Sequence, residues 1–204
     1  DTLFGGAGDD ELQGDVASVE EAGLEGQYHG ADILDGEDGN DDLGSNGDSS
    51  TLFGGAGDDR LYAGGINSYL DGEEGNNQLA AVGGSNELFA GSGNDILWAD
   101  GGNNYLEAGD GTNTLDAYGG NNELNAGMGN DTLNATGGNN YLDGGDGSNT
   151  LSASGGNNEL FAGSGDDMLQ AVGGGNYLEG GEGNNTLVAD GGNNTLFTGA
   201  GNDT

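Results

Sequence analysis

Leucine recurs at every ninth residue along most of the chain. From Leu34 to Leu196 this step is kept without a miss, and Leu3 and Leu12 follow it before a break. Around each leucine the apolar and polar residues alternate, as they do from Tyr105 to Ala108. An alternation with a period of two is typical of a short β-strand. The strict repeat predicts a protein built from units that stack along one axis.

Each nonapeptide combines a larger, glycine-rich half with a shorter, apolar half. Repeated glycines in the first half favour tight turns with positive φ, and the apolar half favours a strand. Two nonapeptides then make one flattened coil. The sequence predicts an all-β fold, a right-handed parallel β-solenoid or β-roll of about eleven coils, with two strands and two turns per coil. At about 4.8 Å per coil the rod would be on the order of 50 Å long.

The predicted core is a stack of leucines beside a stack of alanines. The alanines are Ala63, Ala81, Ala99, Ala117, Ala135, Ala153, Ala171 and Ala189. We divide the chain into first repeats at 1–13, an insertion or loop at 14–31 and a regular solenoid at 32–204, all in one domain. The insertion is indicated because the interval from Leu12 to Leu34 is longer than two nonapeptides. His29, the one histidine, lies there, and we interpret it as a solvated loop residue rather than a metal ligand.

The charge is strongly one-sided, with 37 acidic residues, one arginine, no lysine and a formal net charge of −36. This composition argues against binding to nucleic acid or to an anionic membrane surface. No apolar run of about 18 residues is present, so we expect no membrane insertion. Low hydrophobicity with such a charge is typical of disorder. Because the leucine repeat argues for a fold, we expect a chain that folds when cations neutralise it.

Alternate nonapeptides differ in their polar residues, so the two edges of the solenoid differ chemically. In one series the sixth place holds Asp10, Asp41, Asp59, Asn77, Asp95, Asn113, Asp131, Asn149, Asp167, Asn185 and Asp203. Where the sixth place is asparagine, the third place is acidic, at Glu74, Asp110, Asp146 and Glu182. From Asp59 onward each coil therefore has a carboxylate at one of these two places, either the sixth or the third. The pattern predicts a column of cation sites between successive turns along this edge.

This series resembles the repeats-in-toxin, or haemolysin-type, nonapeptide family, Gly-Gly-x-Gly-x-Asp-x-apolar-x. Gly5–Leu12, Gly54–Leu61 and Gly127–Leu133 match closely, and the resemblance covers nearly the whole chain apart from the insertion. It implies a Ca²⁺-binding parallel β-helix in which turn carbonyls and the sixth-place Asp hold the ions. Ca²⁺ suits such turns because it takes six to eight oxygen ligands. We predict several Ca²⁺ ions along this edge, with all the sixth-place and acidic third-place residues above as candidate ligands.

The other series departs from the family, because its sixth place is mostly neutral. It holds Ser50, Ser68, Asn86, Asn104, Asn122, Asn140, Asn158, Asn176 and Asn194. We predict an asparagine ladder along this edge, with side chains bonded to the coils above and below, and no row of ions. Asp32 is the one acid at the equivalent place and is a candidate for one further site.

On one outer strand face Tyr69, Tyr105, Tyr141 and Tyr177 alternate with glutamates. Two interpretations stay open. Aromatic residues favour strands and pack against their neighbours on a sheet surface. A large exposed apolar row is also typical of an association surface.

The sequence contains no nucleophile–base pair, so we expect no enzyme activity. We predict a secreted or cell-surface, bacterial-type, calcium-stabilised structural solenoid, either the body of a filament or an adhesin stalk. Because open strand edges need partners, we expect end-to-end self-association, with lateral contacts through the tyrosine face. The alternative is the calcium-dependent folding and secretion module of a repeats-in-toxin protease, lipase or toxin. A distant alternative is ice binding by a threonine row at Thr114, Thr132, Thr150 and Thr186, which Ile96 and Met168 interrupt.

Overall fold

The computed structural model describes residues 1–14 and 30–204. Within these ranges the chain forms twenty-one β-strands and no helix. Nearly all of the predicted insertion at 14–31, including His29, lies outside the described residues, so its role stays a prediction. No helix in the described part of the chain is long and apolar enough to cross a membrane.

The strands belong to two parallel sheets. The eleven-stranded sheet, here sheet A, contains β1 (Thr2–Ala7), β3 (Ile33–Asp38), β5 (Thr51–Ala56), β7 (Tyr69–Glu74), β9 (Glu87–Phe89), β11 (Tyr105–Glu107), β13 (Glu123–Asn125), β15 (Tyr141–Asp143), β17 (Glu159–Phe161), β19 (Tyr177–Glu179) and β21 (Thr195–Phe197). The ten-stranded sheet B contains β2 (Glu11–Gln13), β4 (Asp42–Ser45), β6 (Arg60–Ala63), β8 (Gln78–Val82), β10 (Ile96–Gly101), β12 (Thr114–Gly119), β14 (Thr132–Gly137), β16 (Thr150–Ser154), β18 (Met168–Gly173) and β20 (Thr186–Gly191). Successive strands alternate between the sheets, which confirms the predicted parallel β-solenoid.

From β3 in sheet A and β4 in sheet B onward, neighbouring strands pair with an 18-residue spacing. Leu106 of β11, for example, is the partner of Leu88 in β9 and of Leu124 in β13. From β3 to β21 sheet A advances by nine such steps, so the regular solenoid has about nine turns. This is slightly fewer than the predicted eleven. The step from β1 to β3 is the reason, because Leu3 pairs directly with Leu34 and this single step uses the longer stretch of chain between them.

The core lies between the two sheets and consists almost entirely of leucine and alanine. The leucines from Leu34 to Leu187 are 0–7% exposed. Seven of the eight predicted alanines are buried, and Ala189 is partly buried against the core. A second alanine stack, formed by Ala90, Ala108, Ala126 and Ala162, lies just after the strands of sheet A. Because nearly every coil presents leucines and small residues to the interior, each coil covers its neighbours in a similar way.

Candidate metal site

The sixth-place residues of the acidic series line one inner edge of the solenoid. From Asp10 to Asn185 each lies directly before a strand of sheet B, where the turn brings the chain back into the core. From Asp41 to Asn185 these residues are only 0–3% exposed, whereas Asp10 and Asp203 near the two ends are half-buried. The stacked coils therefore place all the predicted sixth-place residues in one column, which we call the acidic column.

From Asp41 onward, one oxygen of each side chain in the acidic column accepts a hydrogen bond from the backbone of the previous coil. The backbone N–H of Asn77 donates to Oδ1 of Asp95 at 2.7 Å, and the backbone N–H of Asp95 donates to Oδ1 of Asn113 at 2.8 Å. The same bond recurs at every step from Asp10 to Asp203, with distances of 2.7–2.9 Å. Aspartate and asparagine serve equally well here, because both present an acceptor oxygen.

The second oxygen of the aspartates has no such partner. Within the described part of the chain, Oδ2 is buried without a hydrogen bond at Asp10, Asp41, Asp59, Asp95, Asp131 and Asp167. It also lies near another acceptor: a Cβ placed on Gly54 would be 2.5 Å from Oδ2 of Asp59 and 2.9 Å from the carbonyl oxygen of Gly72. Oδ2 of Asp59 and this carbonyl oxygen therefore border the same space, and a buried carboxylate oxygen without a donor needs a proton or a cation beside it.

Burial has a direct effect on these carboxyl groups. Loss of hydration raises the pKa of Asp59, Asp95 and Asp167 to about 6, and the hydrogen bond from the neighbouring backbone N–H offsets only part of that rise. The pKa values of Asp41 and Asp131 are raised for the same reason. A charged carboxylate is therefore unfavourable at each place unless a cation compensates it.

The asparagines of the column carry no charge, and their amide nitrogens donate hydrogen bonds to carbonyl oxygens within the chain. Nδ2 of Asn149 donates to the carbonyl oxygens of Gly145, Gly147 and Ala162, each at 3.3 Å. Nδ2 of Asn77 reaches two equivalent carbonyls, and Asn113 and Asn185 reach one each. These contacts identify a group of turn carbonyls beside each sixth-place side chain. The sequence did not indicate that the amide nitrogen would face them.

The predicted third-place acids are more exposed than the sixth-place residues. Glu74, Asp110, Asp146 and Glu182 are all exposed on the outer side of the turn. They pair along the axis with the third-place residues of neighbouring coils, and the hydroxyl of Ser164 donates to Oδ1 of Asp146 at 2.6 Å. Their role as ligands stays a prediction.

Ca²⁺ fits this edge. Among residues 1–14 and 30–204, no three His, Cys, Asp or Glu side chains converge as a metal cluster. Six turns instead offer one buried, unpartnered carboxylate oxygen, and at Asp10, Asp41 and Asp59 a main-chain carbonyl borders the same space. That donor set consists only of oxygens, which Ca²⁺ prefers and which soft metals do not.

The opposite edge carries the predicted asparagine ladder. Nδ2 of Asn104 donates to Oδ1 of Asn122 at 3.0 Å, and Nδ2 of Asn122 donates to Oδ1 of Asn140 at the same distance. The ladder runs from Asn86 to Asn194, and from Asn104 to Asn176 each Nδ2 also donates to a carbonyl of the following coil. The side chains thus satisfy one another.

The ladder changes where serine and Asp32 replace asparagine. Asp32 is fully buried, and its Oδ2 accepts a hydrogen bond from the hydroxyl of Ser45 at 2.6 Å, while its Oδ1 accepts one from the main-chain nitrogen of Asp1. Its carboxylate therefore has partners within the chain. The proposal of a further ion at Asp32 stays a prediction.

Sequence reasoning missed a second, exposed ladder at the fifth place of both edges. The backbone N–H of Asn121 donates to Oδ1 of Asn103, and that of Asn139 to Oδ1 of Asn121, both at 2.7 Å. On the acidic edge the equivalent acceptors include Asp58 and Asn76. The recurring Asn-Asn pairs of the neutral series were the available signal.

The outward aromatic residues of sheet A contact each other along the axis. Phe53, Tyr69, Phe89 and Tyr105 form one run, and Tyr141, Phe161, Tyr177 and Phe197 form a second, with ring centroids 5.3–6.0 Å apart. We call these the two aromatic runs, and Asn125 lies in the gap between them. The hydroxyl groups of Tyr105 and Tyr177 donate to the glutamates two residues later at 2.7 and 2.8 Å. These contacts favour packing within the sheet as the first role of the face.

On sheet B the threonine row is short. Thr114, Thr132 and Thr150 are register partners on three neighbouring strands, and the exposed side chains of Ile96 and Met168 bound them on either side. Three coils of threonine make a small surface.

Comparison with known families gives a match along the chain. The model of the RTX calcium-binding nonapeptide repeat matches residues 1–16, 29–52, 44–79, 71–106, 80–115, 98–133, 107–142, 134–169 and 170–204. None of the curated proteins and none of the solved structures compared with the chain gives a significant match. The matched segments contain the whole acidic column.

Proposed function

Because the chain belongs to the RTX calcium-binding nonapeptide repeat family, we propose that it is an extracellular structural rod whose folding depends on Ca²⁺. Proteins of this family are typically bacterial and secreted. The observation that carries the proposal is the row of buried, unpartnered Oδ2 atoms in the acidic column. A cation beside each of them would complete an edge that the chain cannot complete alone.

The number of these unpartnered atoms makes their total cost in stability large. A buried acceptor without a partner costs about 1–3 kcal/mol, and more when it is charged. Six Oδ2 atoms of the column are in this position, and their combined cost is comparable with the roughly 5–15 kcal/mol that stabilises a typical domain. At neutral pH the calcium-free solenoid is therefore expected to be unfolded or only marginally stable.

The chemistry of the bound state is simple. Ca²⁺ supplies positive charge and accepts several oxygen ligands at once. Around Asp131 the chain would contribute Oδ2 together with the carbonyl oxygens of Gly127, Gly129 and Gly144, which correspond, one coil earlier, to the carbonyls that bind Nδ2 of Asn149. Extracellular calcium modules bind with dissociation constants of about 10⁻⁴–10⁻³ M. Such an affinity keeps the chain unfolded where Ca²⁺ is scarce and folded where it is plentiful.

The rod then serves as the body of a filament or as an adhesin stalk. Its support is the uniform construction: one continuous leucine core, an inner ladder along each edge and the same strand pairing at every step from β3 to β21. Local bending would have to break several of these rows at once. The proposed self-association is end to end, with lateral contacts through the exposed parts of the aromatic runs.

The experiment is electron microscopy of the purified chain with millimolar Ca²⁺ and then with chelator, alongside circular dichroism. Filaments that dissolve and lose β-structure on chelation would support the structural polymer. A spectrum that is unchanged by chelation would contradict the calcium-dependent rod.

The alternative is a calcium-dependent folding and secretion module of a larger exoprotein. The same buried carboxylates favour it, because they would keep the chain unfolded before export. Discrete, short rods that unfold on chelation and never form filaments would favour this alternative over the filament.

A further inference from the structure

We infer that only the aspartates of the acidic column hold Ca²⁺, and that in the intervening coils the asparagine amide takes the place of the ion. From Asp59 onward the solenoid would then bind one Ca²⁺ per two coils. The inference rests on the proposed calcium binding but goes beyond the family pattern, in which each repeat of this kind is expected to carry a site.

The two kinds of coil differ in the atom that lies beside the turn carbonyls. In the coil of Asn149 this atom is Nδ2, which already donates to three carbonyl oxygens. Its Oδ1 is occupied by the backbone N–H of Asp131 at 2.8 Å. No oxygen of this side chain is left to face the carbonyls, and a cation there would meet two amide hydrogens.

In the neighbouring coils the corresponding atom is a carboxylate oxygen. Oδ1 of Asp131 and of Asp167 accepts the same backbone bond at 2.7 Å. The atom that replaces Nδ2 is Oδ2, and at both residues it is buried without a partner among the described atoms. The two kinds of coil differ by one donor, and the donor is present or absent in strict alternation.

The negative charges of two neighbouring turns also match the charge of one Ca²⁺ ion. The turns at 127–131 and 145–149 together contain two carboxylates, the buried one of Asp131 and the exposed one of Asp146. One Ca²⁺ neutralises this pair, whereas two would leave an excess of positive charge on the edge. The exposed third-place acid would thus attract the ion through solvent without being a ligand.

Spacing favours the same arrangement. Successive coils lie about 4.8 Å apart, so alternate coils lie about 9.6 Å apart. Because Coulomb energy varies inversely with distance, alternation halves the repulsion between neighbouring ions. Near the start of the chain Asp10, Asp41 and Asp59 follow one another without an asparagine, and the inference places ions in consecutive coils there.

The test is to count bound Ca²⁺ per chain by native mass spectrometry and by equilibrium dialysis with elemental analysis. The full chain is compared with Asp131→Asn, Asn149→Asp and Asp146→Asn. Asp131→Asn copies the neighbouring coils, so it should fold and lose one ion. Asn149→Asp should gain one ion. Asp146→Asn, which changes the same charge at an exposed place, should keep the original number.

The outcomes separate this inference from the proposed function. Loss of an ion in Asp131→Asn and gain in Asn149→Asp would support the alternation. An unchanged number in Asp131→Asn, or a lost ion in Asp146→Asn, would overturn it while leaving calcium binding in place. A full chain that binds no Ca²⁺ at all would overturn the proposed function itself.

Discussion

The two edges of the solenoid are built alike, and from Asp59 onward they differ in one atom in every second coil. From Asn86 to Asn194 on the neutral edge, and from Asp41 to Asp203 on the acidic edge, each sixth-place side chain offers Oδ1 to the previous coil. On the neutral edge the other atom is Nδ2, which donates onward, for example from Asn122 to Asn140 at 3.0 Å. On the acidic edge that atom alternates between Nδ2 and a lone oxygen. An inner ladder is thus complete in itself where it carries amides and depends on solution cations where it carries carboxylates.

The largest expected effect comes from making the acidic edge resemble the neutral one. The variant with Asp41, Asp59, Asp95, Asp131 and Asp167 all changed to Asn should fold in chelator, because each new Nδ2 can donate to the turn carbonyls. Circular dichroism with and without Ca²⁺ would measure this.

The matched control removes an equal number of exposed negative charges instead, at Glu74, Asp110, Asp146, Glu182 and Asp190. With these changed to the corresponding amides, the chain should still require Ca²⁺. If the control also folds in chelator, overall charge rather than the buried carboxylates controls folding.

Acidification should partly replace Ca²⁺. In the folded, calcium-free chain the pKa of Asp59, Asp95 and Asp167 is about 6, above the ordinary value of 3.8. The folded state therefore holds protons that the unfolded state releases. This contribution to stability is complete below pH 3.8 and is lost as the pH rises through about 6.

The melting temperature of the calcium-stripped chain should accordingly rise from pH 7 to pH 5. The variant with these five aspartates of the column changed to Asn keeps the other acids but lacks five buried carboxylates, so its melting temperature should rise less. An equal rise in both would show that these carboxylates are not the cause.

Breaking the neutral edge should cost stability without changing the ions. Asn104→Ala with Asn140→Ala removes two rungs of the ladder and leaves buried carbonyls unpaired, at a cost of about 1–3 kcal/mol for each site. Urea unfolding in saturating Ca²⁺ would measure the loss, and the number of bound ions should match the unmodified chain. A lost ion would mean that this edge also binds Ca²⁺.

The smallest expected effect concerns the outer face. Asn125→Phe should join the two aromatic runs, because position 125 is equivalent to Phe89 and Phe161, whose rings contact the tyrosines of both neighbouring coils. Each new ring contact contributes about 0.5–1.5 kcal/mol, measurable as a higher urea midpoint.

Tyr105→Ser with Tyr141→Ser should lower the urea midpoint and, if the face also mediates lateral contact, reduce bundling of filaments. Unchanged bundling would restrict these tyrosines to packing within the sheet.

Much of this molecule could be predicted from periodicity alone. Because the leucine step is constant, Leu34 to Leu187 had to face one interior, and the sixth-place residues of each series had to stack into columns. The coil of two nonapeptides and the asparagine ladder follow from that register. The coil number was overestimated, because residues between Leu12 and Leu34 depart from the step and a period says nothing about a segment that breaks it.

The burial of the acidic residues and the orientation of the asparagine amides were harder to predict. The exchange between Asp131 and Asp146 looked like one carboxylate moving within a site, yet the first is buried and the second exposed. The sequence also shows that asparagine carries an amide oxygen, but not which atom of the amide faces the turn carbonyls. The structure shows Oδ1 already bonded and Nδ2 facing the carbonyls, a choice that depends on three-dimensional contacts.

The alternation along the acidic column also sets the step by which such a chain can change its length. Removing or duplicating two whole coils between Asp59 and Asp203 leaves every side chain of the column beside neighbours of the kind it has now. Removing or duplicating a single coil keeps the leucine core intact but brings like residues of the column together, either two carboxylates or two amides. The backbone repeats every coil, whereas the side chains of the acidic column repeat every second coil, so the full repeating unit is the pair of coils.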